Sequence, residues 1–211
     1  MGDNDNSKLK FEICEYGLKL TNLINSLNQN TQNKVDINQI EKAVYYARKY
    51  HGSQTRKSGE PYYSHPVEVA CLFAEYTAKE NIKYYTTNLL ITAILHDAIE
   101  DTNFSKEMIE EVFNKEIAQK VEDLTRIKFD KKITSGENLN VLFTDHKKDV
   151  LYIKLFDRLH NIRTIKFMKQ EKISKILEES FYYFLPLSVY LEVKEVKDEI
   201  VKTYHNQMTS N

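Results

Sequence analysis

At 211 residues the chain is long enough for one substantial domain, or for one domain with a terminal extension. Apolar residues make up 41%, rich in Tyr and Phe and without Trp, which excludes wholesale disorder, and 30 Lys+Arg against 31 Asp+Glu argue against a globally basic nucleic-acid binder. No apolar stretch approaches a membrane span, the polar start Met1 to Lys10 lacks a signal-peptide core, and Cys14 and Cys71 form no CxxC pair, so a soluble, cytoplasmic protein with reduced thiols and no membrane partner is expected.

With 5 Gly and 3 Pro and abundant Lys, Glu, Ile and Leu, the composition favours helix over sheet. Residues 1–7 are expected to fray. From about Lys8 to Leu27, Phe11, Cys14, Leu18, Leu20, Leu23 and Ile24 recur at helical spacing. A polar bridge, Asn28 to Lys34, leads to a second helix that Asp36 can cap, with Gln39 three residues on, and that Gly52 closes; it buries Ile40, Val44 and Ala47. A loop from Ser53 to Ser64 follows. His65-Pro66 opens a third helix, with Pro66 suited to the first turn, continuing through Val69, Cys71, Leu72, Phe73 and Tyr76.

Thr86 or Thr87 starts a fourth helix that ends near His96-Asp97, Ser105 starts a fifth, and Ile117 to Ile127 reads as a sixth. Residues 128–137 read as a polar, mobile loop. A long helix is expected from about Leu139 to Met168, with a break near Thr144-Asp145 and a core stripe of Val150, Leu151, Leu155, Leu159, Ile162 and Ile165. The tail from Ser174 to Tyr204 is helical, with Pro186 breaking or kinking it. No run alternates like a convincing strand, so a single all-α domain is expected.

The chemistry concentrates in Leu95-His96-Asp97-Ala98-Ile99-Glu100-Asp101-Thr102. An apolar run delivers His96 and Asp97 from the core, and two more carboxylates follow within a helical turn. Imidazole beside carboxylate suits a divalent cation, and spare carboxylates suit water activation. His65 lies just past the loop carrying Arg56, and Asp157 interrupts an apolar helix, where a lone carboxylate is costly to bury. Two histidines and two aspartates would leave positions open on an octahedral metal. Singly, each has a bland alternative: His65 a helix cap, Asp97 or Asp101 a cap or a lysine partner, Asp157 an intrahelical pair with Arg158 or Lys154. For Arg56 and Lys57 the bland alternative is a solvated pair on a surface loop.

The order His65, His96-Asp97, Asp157 matches the H…HD…D pattern of HD-domain metal-dependent phosphohydrolases. Three segments resemble, more narrowly, the hydrolase domain of RelA/SpoT-type alarmone enzymes: Arg56-Lys57-Ser58-Gly59-Glu60-Pro61-Tyr62 with His65-Pro66-Val67-Glu68-Val69-Ala70; the segment around His96; and Ile153-Lys154-Leu155-Phe156-Asp157-Arg158-Leu159-His160-Asn161-Ile162-Arg163-Thr164. The resemblance covers about Ile37 to Leu191. It implies an HD-type bundle of about 8–11 helices over residues 36–205, preceded by a helical extension over 1–35.

The resemblance further implies hydrolysis of guanosine 3′,5′-bis(diphosphate) and its 5′-triphosphate analogue to GDP or GTP plus pyrophosphate, with Mn2+ as cofactor. By position, His65, His96, Asp97 and Asp157 would be the metal ligands, and Glu100 and Asp101 would activate or orient water. Arg56, Lys57, Ser58, Lys154, Asn161 and Thr164 would meet the nucleotide. Asp157, Asn161 and Thr164 at i, i+4 and i+7 share a helix face, and Glu100 would share one with His96 if that helix persisted. Phe156 departs from the usual small residue and is expected to fill core space. The chain stops near Asn211, before the synthetase and regulatory domains of longer relatives, so a hydrolase-only form is expected; a homo-oligomer is compatible with it. Three alternatives stay open: another phosphohydrolase specificity such as an NADPH 2′-phosphatase, a catalytically silent alarmone-binding module, and an RNA- or partner-binding helical protein.

Overall fold

Short polar side chains start five of the helices by capping free backbone N–H groups. In the computed structural model, which describes residues 14–128 and 131–209, α1 (Glu15–Asn30) is followed by α2 (Ile37–His51), where Asp36 accepts hydrogen bonds from the backbone of Asn38 and Gln39. Gly52, at φ 53°, ends α2 in the left-handed region that glycine enters without strain. Then come α3 (Ser64–Glu80), α4 (Thr87–Ile94) capped by Thr86, α5 (Ala98–Asp101), α6 (Lys106–Val112) capped by Ser105, and α7 (Lys115–Leu124) capped by Asn114. The Asn114 cap starts α7 two residues before the expected Ile117, and extended backbone at Thr125 stops it short of Ile127.

Residues 128–137, expected to be a loop, contribute to three elements. Strands β1 (Ile127–Lys128) and β2 (Lys131–Lys132) pair antiparallel, and α8 (Ser135–Thr144) begins inside the segment. Its start is a reciprocal capping box: Thr134 accepts from the Glu137 backbone while the Glu137 carboxylate accepts from the Thr134 backbone. The break expected near Thr144-Asp145 separates α8 from α9 (Lys148–Arg163), with His146 at φ 56°. After α10 (Gln170–Glu179), a π turn over Ser180–Phe184 joins α11 (Leu185–Tyr190), and α12 (Lys194–Thr209) closes the described chain. Pro186 falls in the first turn of α11, where a missing N–H is tolerated; the interruption comes instead at Glu192, at φ 61°.

The described residues are therefore all-α apart from two two-residue strands and an isolated bridge between Thr55 and Pro61. Taking α10 to α11 as one rod gives eleven helices among the described residues; ten of them lie beyond residue 36, within the expected range. No helix among the described residues is long and apolar enough to cross a membrane.

Helix α3 is central, lying against α1, α4 and α9, and its Val67, Val69 and Phe73 meet Leu90 and Ile94 of α4 and Leu155 and Leu159 of α9 in one core. Leu20 and Ile24 of α1 join that core; Leu18, expected in the same stripe, is 51% exposed because it lies on the opposite side of α1. Phe11 lies outside the described residues.

Phe156 fills core space, as expected. It is 1% exposed, with its ring 6.2 Å from that of Phe73 and 5.3 Å from that of Tyr76. Phe156→Ala should therefore lower the unfolding free energy by about 3–5 kcal/mol in a urea titration. An unchanged midpoint would place the ring outside the core.

Candidate active site

The central helices deliver the four predicted ligands to one point. His65 lies in the first turn of α3, fixed from behind by the backbone hydrogen bond from its own N–H to the Tyr62 carbonyl. Helix α4 ends at Ile94, and a tight turn through Leu95, His96 and Asp97 leads into α5, so the helix does not persist from His96 to Glu100. Asp157 projects from the middle of α9. The ligand atoms of His65, His96 and Asp157 lie within 4.8 Å of one another. His65 Nε2 is 3.1 Å from Asp157 Oδ1, and Asp97 spans both rings, with Oδ1 3.1 Å from His96 Nε2 and Oδ2 3.6 Å from His65 Nε2.

The tautomers follow from the outer partners. His96 Nδ1 is 2.8 Å from the Ala93 carbonyl, which only accepts, so Nδ1 carries a proton and Nε2 is the nitrogen that faces the carboxylates. That Nε2 is buried and makes no hydrogen bond. His65 Nδ1 is 2.8 Å from His160 Nδ1. Burial, reinforced by the charges of His65 and Arg56, pushes His160 down to about 3, so His160 is neutral and free to accept the His65 proton. Both ligand histidines are thus turned with Nε2 inward.

Such a cluster needs a cation. Like charges about 4 Å apart repel by roughly 4 kcal/mol at an effective dielectric near 20. Burial opposes a charged His96, yet Asp97 and Asp157 outweigh it and raise this imidazole to about 10. Burial likewise opposes ionised Asp97 and Asp157, and the two histidines overcome it, holding both carboxyls well below the usual range. The donor set, two imidazole nitrogens (one of them the orphaned His96 Nε2) and two carboxylates, fits a divalent metal ion.

Glu100 and Asp101 occupy different surroundings. Glu100 Oε1 accepts from Arg126 Nη2 at 2.7 Å, and its Oε2 accepts from the Arg126 backbone N–H at 3.1 Å. Asp101 sits at the exposed rim, with Oδ2 accepting from the Tyr62 hydroxyl at 2.7 Å; partial burial and then the Asp97 charge raise its carboxyl. The same hydroxyl reaches Asp97 Oδ2 at 3.3 Å. Tyr62 stacks on the buried His51, whose Nδ1 is 2.9 Å from Gln54 Oε1; Gln54 in turn donates to the Asp101 carbonyl.

A cavity of about 440 Å³ opens over the cluster, and Arg56, Lys57, Arg126, Lys154, Lys172 and Lys175 line it. Every residue predicted to meet a nucleotide borders this cavity. Arg56 is held by Thr164 Oγ1 at 3.4 Å, and burial pulls the Lys154 ammonium below its ordinary value against the pull of Asp157 and Asp97. Asn161 donates to Asp157 Oδ1 at 2.7 Å, buttressing that carboxylate along the predicted i, i+4 spacing. Ser58 donates to Glu60. Sequence reasoning missed Tyr62, His160 and Arg126. The first two stand inside the quoted motifs, Tyr62 three residues before His65 and His160 three after Asp157; no spacing pointed to Arg126.

Comparison with known proteins agrees with this architecture. The chain is 38% identical over 175 residues to GTP pyrophosphokinase rsh of Brucella ovis, covering 79% of this chain and 22% of that protein. It is 38% identical over 187 residues to the bifunctional (p)ppGpp synthase/hydrolase SpoT of Escherichia coli K12, covering 84% of this chain and 26% of that one. A guanosine-3′,5′-bis(diphosphate) 3′-pyrophosphohydrolase of E. coli O157:H7 matches to the same extent, so the chain spans about a quarter of the length of these relatives. A solved structure of a metazoan ortholog of SpoT that hydrolyzes ppGpp superposes with a TM-score of 0.62 at 20% identity, over 80% of this chain and 95% of that one, and shows the shared fold. Residues 43–193 match the HD domain, and with the histidines and aspartates of that pattern gathered at one point, the chain belongs to the HD-domain family.

Proposed function

We propose that this chain hydrolyses guanosine 3′,5′-bis(diphosphate) and its 5′-triphosphate analogue, releasing the 3′ pyrophosphate and leaving GDP or GTP. The observation that carries the reading is the coexistence of a two-histidine, two-aspartate cluster with a cationic cavity large enough for a nucleotide. The names of the E. coli relatives supply the substrate.

His65, His96, Asp97 and Asp157 would hold the metal, which we take to be Mn2+. When bound, it supplies Lewis acidity towards water and phosphate oxygens. The protein's own groups do the rest. Asp101, with its raised proton affinity and open rim position, takes the proton from the attacking water. Glu100, immobilised by Arg126, directs that water. The water oxygen bonds to the phosphorus carried by the ribose 3′ oxygen, and the bond from that phosphorus to the 3′ oxygen breaks. The proton gained by Asp101 balances the one that the departing 3′ oxygen acquires. Arg56, Lys57 and Lys154 neutralise the phosphates, while Asn161 and His160 keep Asp157 and His65 aimed.

Purified protein with Mn2+ should release pyrophosphate from guanosine tetraphosphate in preference to releasing phosphate from NADPH, and chelation should abolish the reaction. Preferred turnover of NADPH would remove the substrate assignment. Asp101→Asn should cost about a hundredfold or more in kcat, in line with loss of a general base, while Mn2+ binding followed by electron paramagnetic resonance stays intact. Full turnover in that variant would move the base elsewhere. His160→Ala should weaken Mn2+ binding by about tenfold to a hundredfold, the usual cost of losing an outer-shell partner. Unchanged affinity would show that His65 is oriented by other contacts.

A further inference from the structure

Glu100 stands in the single turn of α5, and one turn of helix does not fix the torsions of a glutamate side chain. Its hold comes from a residue 26 positions on. Arg126 gives Oε2 its backbone N–H at 3.1 Å and its Nε at 3.4 Å, and gives Oε1 its Nη2 at 2.7 Å. One residue thus engages both oxygens through a guanidinium fork and a peptide group. The Arg126 peptide is itself restrained. On its N-terminal side Thr125 N–H closes α7 onto the Val121 and Glu122 carbonyls, and on the other side the Arg126 carbonyl accepts from Ile133 N–H at 2.8 Å.

Resting on the hydrolytic reading of the site, we infer that Arg126 is a positioning residue: it sets the Glu100 carboxylate beside the His96-Asp97 turn, and the reaction depends on Arg126 through Glu100. The charge balance at Arg126 separates this role from plain phosphate binding. Arg126 borders the cavity, but its charge is already matched by Glu100, which is the more buried of the two, with 10% of its side chain exposed against 35%. A neutral ion pair adds little to the attraction felt by a polyphosphate, so its loss should fall on kcat and not on KM. A fork geometry is also specific to guanidinium. Lysine offers a single point charge and cannot serve both oxygens in parallel.

The test is a double-mutant cycle on pyrophosphate release from guanosine tetraphosphate with Mn2+, using R126A, R126K, E100A and R126A/E100A. Both Arg126 variants should lose about tenfold or more in kcat with KM held within about threefold, and the double variant should be no more than about twofold slower than E100A. Guanidinium at low millimolar concentration should partly restore R126A, where sodium chloride at equal ionic strength does not. A raised KM with kcat kept, additive losses, or rescue by any salt would overturn the inference. R126K keeps the cycle informative if R126A folds poorly, and circular dichroism melts of each variant report folding separately.

A readout independent of turnover distinguishes this inference from the reading on which it rests. The Arg126 Nε–H resonance in a nitrogen-proton correlation spectrum should shift in E100Q. Active protein whose resonance ignores that substitution refutes the positioning role. Protein inert towards guanosine tetraphosphate, but whose resonance shifts, refutes the hydrolytic reading and leaves Arg126 as the anchor of Glu100 alone.

Discussion

Two carboxylates and two imidazoles meet at a point walled by the helical core, and no such group tolerates that position by itself. An isolated buried carboxylate costs several kcal/mol, roughly the size of a domain's whole margin of stability. The members are mutually dependent, and their donor chemistry suits a cation. Each member is accordingly tied from behind, His96 by the Ala93 carbonyl, His65 by His160, Asp157 by Asn161 and Asp97 by Tyr62. The core of α3, α4 and α9 serves this end by fixing the three backbones from which the ligands project.

The tethers also explain why a proton and a metal compete for one place. The arrangement raises His96 far above its ordinary proton affinity, because the two aspartates favour any positive charge at Nε2. A divalent ion would carry more charge to the same spot. With Nδ1 of His96 committed to a carbonyl, the ring is already in the tautomer that a metal requires. The site is preorganised for a cation before any cation arrives.

Much of this could be read from the sequence, for identifiable reasons. Asp36, Thr86 and Ser105 cap helices through their own side chains, so the signal is local. The α9 stripe repeats at helical spacing, so a polar interruption at Asp157 stood out. What escaped depends on contacts between distant segments or on competing local signals. The capping box at Thr134 and Glu137 was hidden in a run of lysines that reads as loop. Pro186, expected to break or kink the tail, stands in the first turn of α11, directly after the π turn that interrupts the regular α-helix. Tyr62 and His160 lay within recognised motifs, yet their roles exist only as distances to Asp101 and His65. Arg126 belongs to no motif quoted for the site, and only folding brings it to Glu100.

That last contact bears on why two adjacent acids are present. A proton acceptor must be free to change charge, and a carboxylate gripped at both oxygens by a guanidinium resists protonation. An orienting group has the opposite need, since a mobile carboxylate cannot hold water on line with phosphorus. One residue cannot meet both demands. Glu100, clamped by Arg126, suits the second, and Asp101, at the rim with a raised carboxyl and a single phenol partner, suits the first. Adjacent in sequence, the two acids turn their side chains to different partners, Glu100 to Arg126 and Asp101 to Tyr62. On this view the division of labour follows from what each carboxylate is tied to, and the environment decides which acid acts as the base.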